Sequence, residues 1–471
     1  MPRRSIFWTF LVTGLAAFMV AMDNLVVTNA LPVIRVDLGT GLEGLEWTVN
    51  AYTLTFAVLL LTGAALGDRY GRRRLLMIGL AVFTAASTAA ALAPDVGVLI
   101  AARAVQGAGG ALVAPLTLTL LAEVVPPARR GLAFGVWGAT SGLGIALGPV
   151  IGGAVVESAS WQWIFWINVP IGLALIPLAA LLPESRGGAG RLDPAGVALA
   201  TAGLFGVVFG LVRGGGHGWT SPTVLGALVT GGALMVAFLA WQARARYPMV
   251  PLTLFRSRGF AVGNAVALLM SFGVFGSVFL GAQFIQTVLG YSPLEAGLRT
   301  LPWTALPAVV APLSGVLADR IGPRVVIAVA LLLQAVGIGW LAVVSHPGVA
   351  YPALVPPFVF AGLGMGLYFA PAARVTLGFA PPHLAGVASG TANALRQLGT
   401  VLGVAVLGAI FAALGGYGSG RDFVAGLRPA QLVGAVTLLA AAGLALAIPA
   451  RLPEPGAEVA PETAQPALAT A

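Results

Sequence analysis

The chain has 471 residues, of which 58% are hydrophobic and 9% charged, and its formal net charge is +9. Soluble domains carry about 25% charged residues, so this composition excludes a water-soluble globular protein and points to a multispan membrane protein. The absence of cysteine excludes disulfides, thiol catalysis and cysteine metal sites.

In chain order, apolar spans are predicted at residues 6–31, 47–66, 75–93, 96–123, 132–156 and 163–182. The start, Met1-Pro2-Arg3-Arg4, is like the basic region of a signal peptide. The apolar run behind it has no small-x-small cleavage site and reads as an uncleaved first helix. A polar, glycine-rich loop over 183–191 leads to spans 194–212 and 223–243, and an arginine-rich connector over 244–258 follows. Six more spans are predicted at 260–289, 294–318, 325–344, 351–373, 384–414 and 429–450. At about 1.5 Å per residue, each can cross a hydrocarbon layer of about 30 Å. The expectation is an all-α membrane protein with about 14 transmembrane helices and a disordered, Pro/Ala/Glu-rich tail over 452–471.

All the basic side chains are arginine, and they recur in short loops between spans rather than on one face. That is the positive-inside pattern of membrane proteins, not a nucleic-acid footprint. Cytoplasmic termini put Arg3, Arg4, Arg69, Arg72, Arg73, Arg74, Arg129, Arg130, Arg186, Arg191, Arg244, Arg246, Arg256, Arg258, Arg320, Arg324, Arg374 and Arg451 inside. Arg35, Arg213, Arg299, Arg421 and Arg428 are then left outside, an asymmetry that a miscounted helix would spoil. Arginine without lysine, with abundant Ala and Gly, points to a G+C-rich bacterial genome and hence to a bacterial cytoplasmic membrane.

One loop occurs twice. Gly67-Asp68-Arg69-Tyr70-Gly71-Arg72-Arg73-Arg74 follows the second span, and Ala318-Asp319-Arg320-Ile321-Gly322-Pro323-Arg324 follows the tenth. A repeat at those positions implies two related halves with an inserted helix pair. The units expected are a six-helix bundle over 1–185, an inserted pair with its flanking loops over 186–258, a second six-helix bundle over 259–451 and the tail 452–471.

With this loop pair, four further motifs carry a resemblance. They are Met22-Asp23-Asn24-Leu25-Val26-Val27-Thr28-Asn29-Ala30-Leu31-Pro32, Arg103-Ala104-Val105-Gln106-Gly107-Ala108-Gly109-Gly110, Gly144-Ile145-Ala146-Leu147-Gly148-Pro149-Val150-Ile151-Gly152-Gly153 and Trp161-Gln162-Trp163-Ile164-Phe165-Trp166-Ile167-Asn168-Val169-Pro170. In this order the chain resembles the major facilitator superfamily, in particular its fourteen-helix drug:proton antiporter branch. The loops depart from the family pattern at Ala64, where Gly is usual, and at Pro323, where Arg is common. The resemblance implies proton-coupled efflux of lipophilic compounds by alternating access, with protons, small-molecule substrates and membrane lipids as partners and no cofactor.

Each candidate site residue has a functional role and a plainer alternative. Asp23 and Arg103 are the proton-coupling pair, because a charge at mid-membrane costs roughly 2.5–3.5 kcal/mol and needs a partner or a function. Their plainer roles are a hydrogen bond near Asn24 and Thr28 and a tie to backbone carbonyls. Asp68, Arg69, Gly71, Arg72, Glu123, Asp319 and Arg320 form a gating latch. In it, Asp68 caps a helix from the other half and Arg72 pairs with Glu123; the alternative is topology and lipid headgroups alone. Gly144, Gly148, Pro149, Gly152 and Gly153 form a bent, close contact between the halves, or else ordinary tight packing. Candidate cavity residues are Met19, Asn24, Asn50, Tyr52, Gln106, Gln283, Gln286, Tyr368, Asn393 and Gln397. Arg103, Gln106, Gly107 and Gly110 are expected to face that cavity, and Asp23 is the only acid expected deep in a span. This points to neutral, weakly charged or anionic substrates.

The competing functions are export of an endogenous metabolite or lipid, a nutrient importer or facilitator, a membrane sensor and a membrane enzyme. No soluble output region supports the sensor. No clustered acid/base constellation supports the enzyme, and no Gly-rich loop ending in Gly-Lys-Ser/Thr supports an ATP-driven pump.

Overall fold

The computed structural model describes residues 3–126, 130–187, 192–381 and 384–450. The tail 452–471, and Arg129, Arg191 and Arg451 of the arginine pattern, lie outside the described residues. Every regular element among the described residues is helical.

The first half comprises α1 (Arg3–Asp37), α2 (Leu42–Tyr70), α3 (Arg72–Ala91), α4 (Val96–Val124), α5 (Arg130–Ser158), α6 (Trp163–Trp166) and α7 (Asn168–Ala179). A helical hairpin follows, α8 (Pro194–His217) and α9 (Pro222–Arg244). The second half comprises α10 (Arg258–Gln283), α11 (Pro293–Arg299), α12 (Leu301–Thr304), α13 (Leu306–Ile321), α14 (Pro323–Val344), α15 (Tyr351–Gly378), α16 (Ala385–Leu414) and α17 (Gly420–Ala445).

Among the described residues, twelve helices are long and apolar enough to cross a membrane, where fourteen were expected. Two further apolar helices, Ala146–Ser158 and Trp163–Ala179, are shorter. The second is interrupted at Ile167, between α6 and α7. Pro170 has no N–H to give the Trp166 carbonyl, so the ladder is interrupted there. Pro302 and Pro307 likewise accompany the breaks between α11, α12 and α13.

The first half closes on an interior that includes Met19, Phe56, Leu80, Phe83 and Leu116. A larger apolar cluster runs through the second half and reaches α1 at Met22, Val26 and Ala30. The hairpin lies over the seam where the halves meet: Leu204 and Val208 of α8 pack with Leu54 and Val58 of α2 and Val401 and Ala405 of α16. Asp193 pins the hairpin. It caps α8 through the Gly196 N–H and accepts from Trp241 Nε1 and Gln242 Nε2 of α9, at 2.7–2.8 Å. Burial alone would raise its carboxyl, but these bonds and one from the Met249 N–H outweigh that and hold it below the ordinary aspartate range.

Candidate functional site

Asp23 lies within the first half, 1% exposed, where α1 meets α4 and α7. Its Oδ2 takes a hydrogen bond from Arg103 Nη1 at 2.6 Å. Its Oδ1 takes two more at 2.8 Å, from Gln106 Nε2 and Asn168 Nδ2. The same Gln106 amide donates to Ser87 Oγ at 2.8 Å and its Oε1 accepts from Arg103, so acid, base and amide form a closed network. Arg103 also donates to the Thr48 carbonyl and lies 4.2 Å over the Tyr52 ring, which places it against α2 as well.

A buried ion pair is tolerated only when its remaining donors and lone pairs are satisfied, and this network supplies that. The α4 face carrying Arg103, Gln106, Gly107 and Gly110 therefore looks into the first half rather than into an open cavity. A Cβ on Gly107 would lie 2.3 Å from the Tyr52 carbonyl.

At the first loop, Arg72 bridges Asp68 of α2, at 2.8 Å from Nε, and Glu123 at the end of α4. The expected cap of a helix in the other half is absent among the described residues. Asp68 is instead covered by segment 184–187 of its own half. There the Gly187 N–H donates to the Asp68 carbonyl at 3.1 Å and the Arg72 N–H to the Ser185 carbonyl at 2.9 Å. Glu184 supplies the missing cap, accepting from the N–H groups of Arg73 and Arg74 at the start of α3. A carboxylate at a helix N-terminus is favoured by the exposed N–H groups there. Gly71 joins α2 to α3 at φ +110°, a conformation that costs other residues about 1–2 kcal/mol.

The second loop has the same backbone, with Gly322 at φ +88°, but different charges. Asp319 pairs with Arg374 of α15, so the base sits on the fourth helix of that half, where the first half carries the acid Glu123. Arg69 and Arg320 are exposed, and Arg69 lies over its neighbour Tyr70.

The glycine stripe of α5 also finds a different neighbour. Cβ atoms on Gly144, Gly148 and Gly152 would meet Phe18, Leu25 and Val26 of α1, inside the same half. Contact between halves falls to the next position. A Cβ on Gly153 would lie 2.2 Å from the Pro293 carbonyl, and one on Gly297 would lie 2.4 Å from the Pro149 carbonyl. The α5 and α11 backbones thus touch reciprocally. Nearby, Asn29 Nδ2 donates to the Pro149 carbonyl at 2.7 Å. The Asn29 carbonyl accepts from Gln286 Nε2 at 2.9 Å, where α10 ends in a π-helical turn over Phe284–Val288.

Of the cavity candidates, Met19, Asn50, Tyr52, Gln106, Gln283, Tyr368 and Gln397 are buried, and Asn24, Gln286 and Asn393 half-buried. A void at the junction of the halves is lined by Thr28, Asn29, Pro149, Ile285, Trp303 and Phe358, and none of the candidates lines it. Gln283 is instead bonded to the Tyr417 hydroxyl.

Sequence reasoning missed several polar residues. Asn168 was part of a quoted motif with no role assigned, although an amide beside Pro170 in an apolar span is itself a signal. Glu184 stood in a loop read only for its glycines. Glu46, near the start of α2, is another buried acid, 1% exposed, and its Oε1, against Gly408 of α16, lacks a hydrogen-bond partner among the described residues. Asn50, one turn along α2, is buried with both amide atoms lacking partners among the described residues.

The architecture of two bundles with repeated loops agrees with known proteins. The family model "Major Facilitator Superfamily" matches residues 13–404. The tetracenomycin C resistance and export protein of Streptomyces glaucescens is 35% identical over 86% of this chain and 76% of its own. The multidrug efflux pump LfrA of Mycolicibacterium smegmatis is 35% identical over 96% of this chain and 89% of its own. Among solved structures, the xylose transporter XylE from E. coli superposes with a TM-score of 0.62 at 16% identity, covering 93% of this chain and 96% of that one. The chain belongs to the Major Facilitator Superfamily, and it is a transporter rather than an enzyme.

Proposed function

We propose that this protein exports lipophilic small molecules across a bacterial cytoplasmic membrane in exchange for protons, its two halves alternately exposing a central site. Efflux follows from the relatives named for export and multidrug resistance. Proton coupling rests on one observation, the fully buried Asp23 whose two carboxylate oxygens engage donors on two other helices. A carboxylate held in this way is released only when the helices around it shift, which links proton binding to the change of state.

The antiporter branch with fourteen spans is the finer reading. It takes α5 and the α6–α7 pair as spans beside the twelve long helices. The 29-residue length of α5 supports this, and an even count keeps both termini on the arginine-rich, cytoplasmic side. No cofactor is required, because the gradient supplies the energy. The latch then works within the first half: Arg72, Asp68, Glu123 and Glu184 tie α2, α3, α4 and the strap 184–187 into one rigid end.

The decisive experiment is transport by purified protein in vesicles, with and without an imposed proton gradient, over a panel of dyes and antibiotics. Gradient-dependent uptake into inside-out vesicles is the expected result. Undiminished gradient-driven export by Asp23→Asn removes Asp23 from the mechanism, and a wild type indifferent to the gradient overturns proton coupling.

A further inference from the structure

The second half contains an arginine within its spans that its surroundings do not neutralise. Arg396 lies well inside α16, about 17 Å along the helix from Ala385. Its Nη2 donates to Asn393 Oδ1 at 2.6 Å. No carboxylate among the described residues pairs with it. Its Nε and Nη1 make no hydrogen bond among the described residues, and the residue is half-buried, so these two donors stay open.

The Tyr368 hydroxyl of α15 interacts electrostatically with the guanidinium. Tyr368 is 1% exposed and its hydroxyl has no hydrogen-bond partner among the described residues. Because Asn393 gives its carbonyl oxygen to the guanidinium, its amide nitrogen is turned away from Arg396. Glu46 is not the missing counter-ion. It abuts Gly408, about 18 Å further along α16. Asp23 is committed to Arg103 in the other half.

One positive charge with open donors and no acid partner among the described residues therefore lies inside the second half, with a buried, unpartnered tyrosine hydroxyl in its field. We infer that Arg396, Tyr368 and Asn393 form an anion-binding subsite of the second half, and that it selects lipophilic substrates bearing a carboxylate or sulfonate. Nη2 keeps a second hydrogen beside Nε–H or Nη1–H, so the planar guanidinium still presents two parallel N–H groups to the two oxygens of such a group, with the tyrosine hydroxyl as a further donor. The surrounding apolar side chains take the lipophilic body. This inference rests on the efflux reading for the identity of the cargo, but the subsite is testable by binding alone.

The test uses the purified full-length chain in detergent and three probes of equal length: pyrenebutanoate, its neutral amide and the trimethylammonium analogue. Calorimetric titration of the wild type should show the carboxylate binding at least tenfold tighter than the amide, and the cation weakest. Arg396→Gln should abolish that preference and leave amide binding unchanged. Arg396→Lys should keep part of it, having the charge without the fork. Tyr368→Phe should weaken the carboxylate a few-fold and, being nearly isosteric, guards against a fold defect in the arginine variant.

Equal affinity of the wild type for carboxylate and amide, tightest binding of the cation, or an undiminished preference in a folded Arg396→Gln protein overturns the subsite. Displacement of pyrenebutanoate by an equal mole ratio of phosphatidylglycerol makes it a lipid site and overturns the cargo assignment. A vesicle arm separates the two readings. Anion preference without export sinks the efflux reading alone, whereas export without anion preference sinks the subsite alone.

Discussion

Arg103 and Arg396 sit inside opposite halves and keep opposite company. Arg103 is 1% exposed and has a carboxylate at 2.6 Å, a backbone carbonyl and an aromatic face around it. Arg396 has one amide and an unsatisfied tyrosine hydroxyl. The first half has built its counter-charge into the fold, and the second has left that place open. On the proposed reading, energy coupling sits in one bundle and the choice of cargo in the other.

The contrast is sharpest in stability. Asp23→Asn leaves Arg103 buried without its counter-charge, and breaking such a pair costs about 3–5 kcal/mol. We expect a lowered unfolding temperature of the purified protein together with loss of gradient-driven export. Adding Arg103→Gln should restore much of the stability and none of the coupling. A fully stable Asp23→Asn protein would erase the distinction between the two arginines.

Gly153→Val comes next. Its Cβ would enter the space of the Pro293 carbonyl, so the halves cannot meet at that end, and export should fall at least about tenfold, or about 1.4 kcal/mol in the barrier. Vesicle transport at saturating substrate reads the effect.

Arg396→Gln should behave unlike Arg103→Gln and not lower stability. The charge it removes costs up to about 3 kcal/mol on insertion, which favours the variant. Thermal unfolding of the two glutamine variants side by side tests this, and equal destabilisation would break the comparison.

The smallest effects separate the two loops. Gly71→Ala and Gly322→Ala both pay the positive-φ penalty of about 1–2 kcal/mol. Only the first also meets a neighbour, since its Cβ would lie 2.9 Å from the Glu184 carboxylate, while Gly322 has open space. The first substitution should therefore destabilise more, as measured in the same unfolding assay.

Much of this was readable from residue order. The repeat of Asp-Arg-x-Gly after the second and tenth spans divided the chain into halves, because charged turns are tolerated only at membrane surfaces. Asp23 and Arg103 stood out because isolated charges in apolar spans need partners. Partners remote in sequence were not readable. Asn168 on Asp23, Glu184 on the start of α3 and segment 184–187 over Asp68 depend on how loops return, which periodicity does not encode. The α5 glycines make the same point. Spacing located a small-residue face but not which helix approaches it, and Gly144, Gly148 and Gly152 meet α1 while the neighbouring Gly153 meets the other half.

The Gly153–Gly297 crossing has a mechanical corollary. Two surfaces made of bare main chain have no teeth to mesh, so they can part without dragging rotamers through one another and settle again in the same seat. Wear-free return of that kind suits a machine that must close thousands of times on cargoes of different shape, since nothing in the seal itself needs to recognise what has just passed.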